Sequence, residues 1–163
     1  GKTVFGACYN LSSFFGQYTT SDHRCLIVNG RLAAFAPKGL TEYTIPDGVT
    51  TIGDNVFFGC TNLTRITIPH GVETIAFQAF RECSGITEIT IPESVTTVKE
   101  GAFCTCKSLT IVYCKPIVPP ALEVNIFSES PIGVIHVPQA SVEAYKSADG
   151  WSEFADKIEG YDF

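Results

Sequence analysis

The sequence predicts an α/β solenoid of stacked units, and three observations predict it. Residues 44–66 (TIPDGVTTIGDNVFFGCTNLTRI), 67–89 (TIPHGVETIAFQAFRECSGITEI) and 90–112 (TIPESVTTVKEGAFCTCKSLTIV) are three copies of one 23-residue unit, with nothing inserted between them. Eight positions of that unit stay apolar in every copy. A short alternating segment recurs at a fixed place in the unit and is closed each time by a proline, Pro46, Pro69 or Pro92. A fixed period of this length marks a chain in which each unit is one supersecondary element that buries its apolar face only against its neighbours.

The conserved-in-register positions are Ile45/Ile68/Ile91, Val49/Val72/Val95, Ile52/Ile75/Val98, Val56/Ala79/Ala102, Phe57/Phe80/Phe103, Cys60/Cys83/Cys106, Leu63/Ile86/Leu109 and Ile66/Ile89/Val112. Each set is expected to form a column inside the stack. The strand of each unit is read from the form LxxLxL. It appears as Leu40 to Ile45, Leu63 to Ile68, Ile86 to Ile91, Leu109 to Cys114 and Ile132 to Val137. Within it alternate residues turn inward, and the proline that follows has no N–H to continue a ladder. These strands are expected to line up as one parallel sheet with a spacing of about 4.8 Å. Segments such as residues 54–58 are too short for a stable helix and are expected as single turns on the opposite side.

The frame IPxxVxxIxxxAFxxCxxLxxI, carried by residues 40–112 and more loosely by the rest, resembles the BspA-like subclass of leucine-rich repeats. The resemblance implies a horseshoe or straight solenoid with the sheet on one face and short helical turns on the other. It also implies a secreted or cell-surface bacterial protein that binds and adheres rather than catalyses.

Residues 1–43 are read as a partial repeat followed by an insertion. Phe5, Cys8, Leu11 and Phe14 match the slots of Phe57, Cys60, Leu63 and Ile66. Asn29-Gly30 between two apolar runs predicts a β-hairpin with a type I′ turn, replacing the helical turn of one repeat. Asp22-His23-Arg24 beside it has no nucleophile paired to it by any motif, so a solvated loop is expected. Residues 113–138 form a degenerate last repeat, with Lys115 to Pro120 extended. Residues 139–163 are expected to form a helical cap, with Ser141 as N-cap, Gly150 at the helix end, and Trp151, Phe154 and Ile158 on one face. The whole is expected as a single domain, 1–163. Beginning at Gly1 and without methionine, the chain is also expected to belong to a longer protein.

Composition narrows the function. Charged residues make up 17% of the chain and the net charge is −6, so the basic stripe that nucleic acid requires is missing. No apolar run approaches the length of a membrane span. Seven cysteines suggest disulfides or zinc, but Cys60, Cys83 and Cys106 fall on the period, no CxxC pair occurs, and buried free thiols are expected. Cys104 takes a variable slot and is expected at the surface. No catalytic, cofactor-binding or metal-ligating set emerges.

A solenoid does offer the outward residues of its strands. Those are Glu42 and Thr44, Arg65 and Thr67, Glu88 and Thr90, Ile111 and Tyr113, and Val134 and His136. Three polar rungs with a threonine column thus adjoin two apolar ones, the kind of mixed surface on which a partner docks. The expected partner is a protein or glycan of a host or neighbouring cell, met outside the cell. The alternatives are that the cap folds over the apolar rungs and that the chain is a passive spacer.

Overall fold

In the computed structural model of the chain, residues 10–163 are described. Phe5 and Cys8 lie outside them. The chain winds as a β-solenoid of about six turns with few helices, which is the architecture that the repeat predicts.

A hairpin opens it. Strands β1 (Cys25–Val28) and β2 (Arg31–Phe35) pair antiparallel, and Asn29 and Gly30 between them have φ of 50° and 73°, as a type I′ turn demands. Each later repeat then contributes two strands. On one face lie β3 (Glu42–Thr44), β5 (Arg65–Thr67), β7 (Glu88–Ile91), β9 (Ile111–Cys114) and β11 (Val134–Pro138), at the LxxLxL segments. On a second face lie the two-residue strands β4 (Thr51–Ile52), β6 (Thr74–Ile75), β8 (Thr97–Val98) and β10 (Ala121–Leu122). The second-face sheet runs β1-β2-β4-β6-β8-β10. The hairpin therefore adds a rung to this ladder, with Leu32 in register with Ile52, instead of replacing a helical turn.

A third column of backbone hydrogen bonds joins the corners that carry the Phe slot. Phe57 N donates to Ala79 O, Phe80 N to Ala102 O and Phe103 N to Ile126 O, at 2.8 to 3.0 Å. Two residues per corner make this possible by adopting positive φ, in the series Asn55, Gln78, Gly101, Asn125 and the series Gly59, Glu82, Thr105, Glu129. The left-handed conformation turns the N–H of one residue of the corner after another toward the next rung. Most of these residues are not glycine, so the corner holds them there against their own preference.

The eight apolar columns form one core, in which Phe57 and Ile75 are wholly buried and Cys83 is wholly enclosed. Phe57, Phe80, Phe103 and Phe127 stack in sequence at 5.0, 5.2 and 5.6 Å between ring centroids; Phe35 lies tilted on Phe57 at 4.7 Å and Phe154 closes the column edge-on. The cysteine column does more than fill space. Cys83 Sγ donates to Phe57 O at 3.0 Å and Cys106 Sγ to Phe80 O at 3.1 Å. Ser130, in the same slot one rung later, donates to Phe103 O at 2.7 Å. The slot therefore calls for a small donor, which explains why serine replaces cysteine there. All six cysteines among the described residues are free thiols, and Cys104 is half-buried.

Three further expectations need correction. Phe14 is buried, but in a small separate cluster with Ala34 and Ala36 of the hairpin instead of in the main columns. The cap is only partly helical. Helix α1 (Val142–Ser147) ends before Ala148, whose backbone is extended, a 3-10 turn covers Ser152–Phe154, and β12 (Ile158–Tyr161) is a strand that pairs parallel with β11. Asp149-Gly150, with Gly150 at φ 77°, breaks the helical path, so Trp151, Phe154 and Ile158 reach the core by three different routes. Ser141 precedes the helix but makes no capping bond; its hydroxyl donates to Ile117 O at 2.8 Å. The third correction concerns the LxxLxL strands, which do not form one sheet, and it bears on the site.

The cap and the proline-rich segment hold each other. Tyr145 Oη donates to Pro116 O at 2.7 Å and Trp151 Nε1 to Pro120 O at 2.8 Å, beside the Ser141 bond to Ile117. Prolines cannot donate, but their carbonyls accept, and here buried cap residues satisfy them. Trp151 is wholly buried, which places it in the cap's core and not on a ligand surface.

Candidate functional site

Alternation along five strands puts ten side chains on the outward side of the first face. Glu42, Thr44, Arg65, Thr67, Glu88 and Thr90 are exposed, and Ile111, Tyr113, Val134 and His136 are half-buried. The register lines them up in two columns. One runs Glu42, Arg65 and, across the next step, Glu88, Ile111, Val134. The other runs Thr44, Thr67, then Thr90, Tyr113, His136.

The apolar end of this face is an aromatic cluster. Tyr113 and His136 stack with centroids 5.1 Å apart and rings 24° from parallel. Tyr161, from the cap strand, lies 5.0 Å from His136 and meets Tyr113 edge-on at 5.6 Å; Phe163 meets Tyr113 edge-on at 6.4 Å. The Lys115 ammonium sits 5.2 Å from the Phe163 ring centre, a cation–π contact. Cap residues thus join the face at its end, extending it by a strand and two rings. Sequence reasoning missed Tyr161 and Phe163, because it placed this stretch in a helix.

Between β5 and β7 the face is divided. The strands fall into a two-stranded sheet, β3-β5, and a four-stranded sheet, β12-β11-β9-β7. At the steps on either side Thr64 N and Arg65 N donate to Thr41 O, and Thr110 N and Ile111 N donate to Thr87 O; no pairing joins β5 to β7. A cleft of about 510 Å³ occupies the step, lined by Thr64, Arg65, Ile66, Thr67, Ile68, Thr87, Glu88 and Thr90. Just before it the chain packs closely on the preceding rung. A Cβ at Gly85 would lie 2.5 Å from the carbonyl oxygens of both Thr61 and Leu63, and the neighbouring copies carry Asn62 and Ser108 in that slot.

Other features of the surface are structural. Asp22 accepts hydrogen bonds from the Thr20 hydroxyl, from Arg24 N at 3.0 Å and from Tyr43 Oη at 2.9 Å. Burial works to raise its pKa, but these bonds outweigh it and hold the carboxyl below the usual range. Asp22 thereby ties the loop before the hairpin to β3. Burial pushes the thiols of Cys60, Cys106 and Cys114 up to about 12, so they stay protonated and unreactive near neutral pH. Among the described residues no group of three or more His, Cys, Asp or Glu is placed to hold a metal ion, and no helix is long and apolar enough to cross a membrane.

Comparison with known families supplies the last observation: the BspA type leucine-rich repeat region, in six copies, matches residues 31–148. The chain belongs to the BspA-type leucine-rich repeat family. Solved structures share its fold. A leucine-rich repeat protein from Eubacterium ventriosum is 20% identical with a TM-score of 0.64, over 98% of this chain and 44% of its own. A leucine-rich cell surface protein from Faecalibacterium prausnitzii is 14% identical with a TM-score of 0.52, again over 98% and 44%. The Treponema pallidum leucine-rich repeat protein is 22% identical with a TM-score of 0.58, over 90% of this chain and 78% of its own. This BspA-type chain thus spans less than half the length of the first two. A comparison with curated protein sequences found no match.

Proposed function

We propose that this BspA-type chain is a non-catalytic binding module of a bacterial surface protein, one domain over residues 1–163, which recognises a protein or glycan partner outside the cell through its outward sheet face. The observation that carries the reading is the face itself. Two side-chain columns in register present carboxylates, a guanidinium and three threonines at one end, and an aromatic cluster at the other. Directed hydrogen bonding beside a rigid aromatic surface is what a recognition surface needs. Membership of a family typically without catalysis supports it, as does the cell-surface description of the Faecalibacterium prausnitzii relative.

The test is capture of the chain by an immobilised extracellular-matrix preparation, comparing the wild type with Arg65→Ala and Tyr113→Ala. Loss of capture with urea midpoints little changed supports the sheet face. Capture that is unaffected by both substitutions removes this face, and a spacer role then accounts better for the stack.

A further inference from the structure

We propose that the opened step between β5 and β7, together with the Tyr113 ring, is a binding site for a neutral hexopyranose oligosaccharide; this rests on the reading of the outward face as the binding surface.

The width of the step decides what can enter. Paired strands lie about 4.8 Å apart, so a strand inserted between two others holds them about 9.6 Å apart. Here Cα atoms of β5 and β7 approach within 8 Å, yet the strands do not pair. The step therefore leaves its own ladder unformed while holding the two strands closer than an inserted strand would, so strand addition would have to push the rungs apart. What fits is a set of small hydrogen-bonding groups such as hydroxyls.

The lining offers partners for them. In a parallel sheet alternate residues turn their backbone groups to opposite neighbours. Ile111 donates to Thr87 O and Lys115 to Ile91 O, so the odd-numbered residues of β7 serve β9 and the groups of Glu88 and Thr90 face β5. The same alternation turns Ile66 and Ile68 toward β7, since Ile45 N bonds to Thr67 O on the other side. These residues line the cleft although both isoleucine side chains point into the core. Unpaired N–H and C=O groups in a half-enclosed site call for partners. The hydroxyl-bearing residues Thr67, Thr87 and Thr90 line the cleft with them, while the Thr64 hydroxyl donates to Thr41 O at 3.1 Å.

Charge and shape complete the assignment. The cleft's ionic side chains are one Arg65 and one Glu88, a balance that favours an uncharged ligand able both to donate and to accept. Its edge at Thr90 is in register with Tyr113. Tyr113 stacks on His136 on the far side and meets Tyr161 and Phe163 edge-on, so a half-buried aromatic ring stands one rung from Thr90. A pyranose has one apolar face and a rim of hydroxyls, matching this ring beside that cleft. The volume, about 510 Å³, falls within the usual range for small-ligand sites.

The test is titration calorimetry of the chain with four neutral hexasaccharides (maltohexaose, cellohexaose, chitohexaose and mannohexaose) and with a heparin hexasaccharide. The expected result is saturable binding of at least one neutral probe, weakened about three- to tenfold by Thr67→Val, Thr90→Val and Tyr113→Leu, the loss that one hydrogen bond or ring contact commands. Thr74→Val, on the second face, is expected to leave it unchanged. Absence of binding by all four neutral probes, preference for heparin, or binding indifferent to the three substitutions overturns the assignment. Capture by matrix that still depends on Arg65 and Tyr113 would then preserve the sheet-face reading, so the two failures are told apart.

Discussion

The rings of Phe57 and Phe80 lie 5.0 Å apart and within 1° of parallel. Two rings so nearly parallel, at a separation well beyond direct face-to-face contact, are offset copies of one another. They follow because successive repeats place the same residue in the same rotamer one rung further along. The same relation holds for Phe80 and Phe103, at 5.2 Å and 2°. Strict repetition in sequence becomes translation in space, and each ring is enclosed by its copies.

Phe80 is wholly buried between two such rings. Replacing it by alanine removes contacts on both sides and leaves a cavity that the stack cannot collapse. Phe80→Ala is expected to cost about 3 to 5 kcal/mol in urea denaturation. A cost under about 1 kcal/mol would show that the column does not organise the core.

The thiol bond from Cys83 to Phe57 O separates two variants of similar size. Cys83→Ser keeps a donor in the slot, as Ser130 does naturally, whereas Cys83→Ala leaves Phe57 O with the Cys60 N–H as its one donor, at 3.1 Å. Alanine is expected to be less stable than serine by about 0.5 to 1.5 kcal/mol, the net contribution of one hydrogen bond. Denaturation midpoints of the two variants decide it.

Buried thiols also set an alkaline limit. Thiols of the unfolded chain ionise near 9.0, while those of Cys25, Cys60, Cys106 and Cys114 in the fold are held up to about 12 by burial. The fold therefore keeps protons that the unfolded chain loses, and stability that is fully present below pH 9 falls as pH rises from there toward 12. Each such thiol accounts for about 1.4 kcal/mol per pH unit at most. Urea midpoints at pH 7.5 and 10 are expected to differ, and Cys106→Ser to reduce the difference.

Tyr145 anchors the cap to the proline-rich segment through Pro116 O. Tyr145→Phe keeps the ring against Trp151 but strands that carbonyl, at an expected cost of about 1 to 3 kcal/mol. Limited proteolysis is expected to cut the variant first within residues 139–163.

Much of this was legible because a period constrains every copy at once. The eight columns, the hairpin at Asn29-Gly30 and the outward strand residues follow from spacing and turn chemistry. The second-face strands were not legible, since Thr51–Ile52 and its copies are two residues long and present a single inward side chain each, too little for an alternation to register. Nor were the left-handed corner residues, because Gln78, Glu82 and Thr105 hold a conformation that tertiary hydrogen bonds impose against their type. In the cap, spacings of three and seven from Trp151 suit a helix, but burial alone fixes them and a turn followed by a strand buries the same residues. The divided sheet was not legible either; position 85, glycine where the neighbouring copies have Asn62 and Ser108, marks a close approach between rungs. Its meaning depends on carbonyls that come close only once the rungs are stacked.

The fold is a stack of matched rungs with one open step, and amide hydrogen exchange resolved by residue distinguishes that step from its neighbours. Thr64, Arg65, Thr110 and Ile111 donate to the preceding rung and are expected to exchange slowly, whereas Thr87 and Glu88, at the equivalent positions of the open step, are expected to exchange much faster. Equal protection at all three steps would show an unbroken sheet and leave the cleft without its backbone partners.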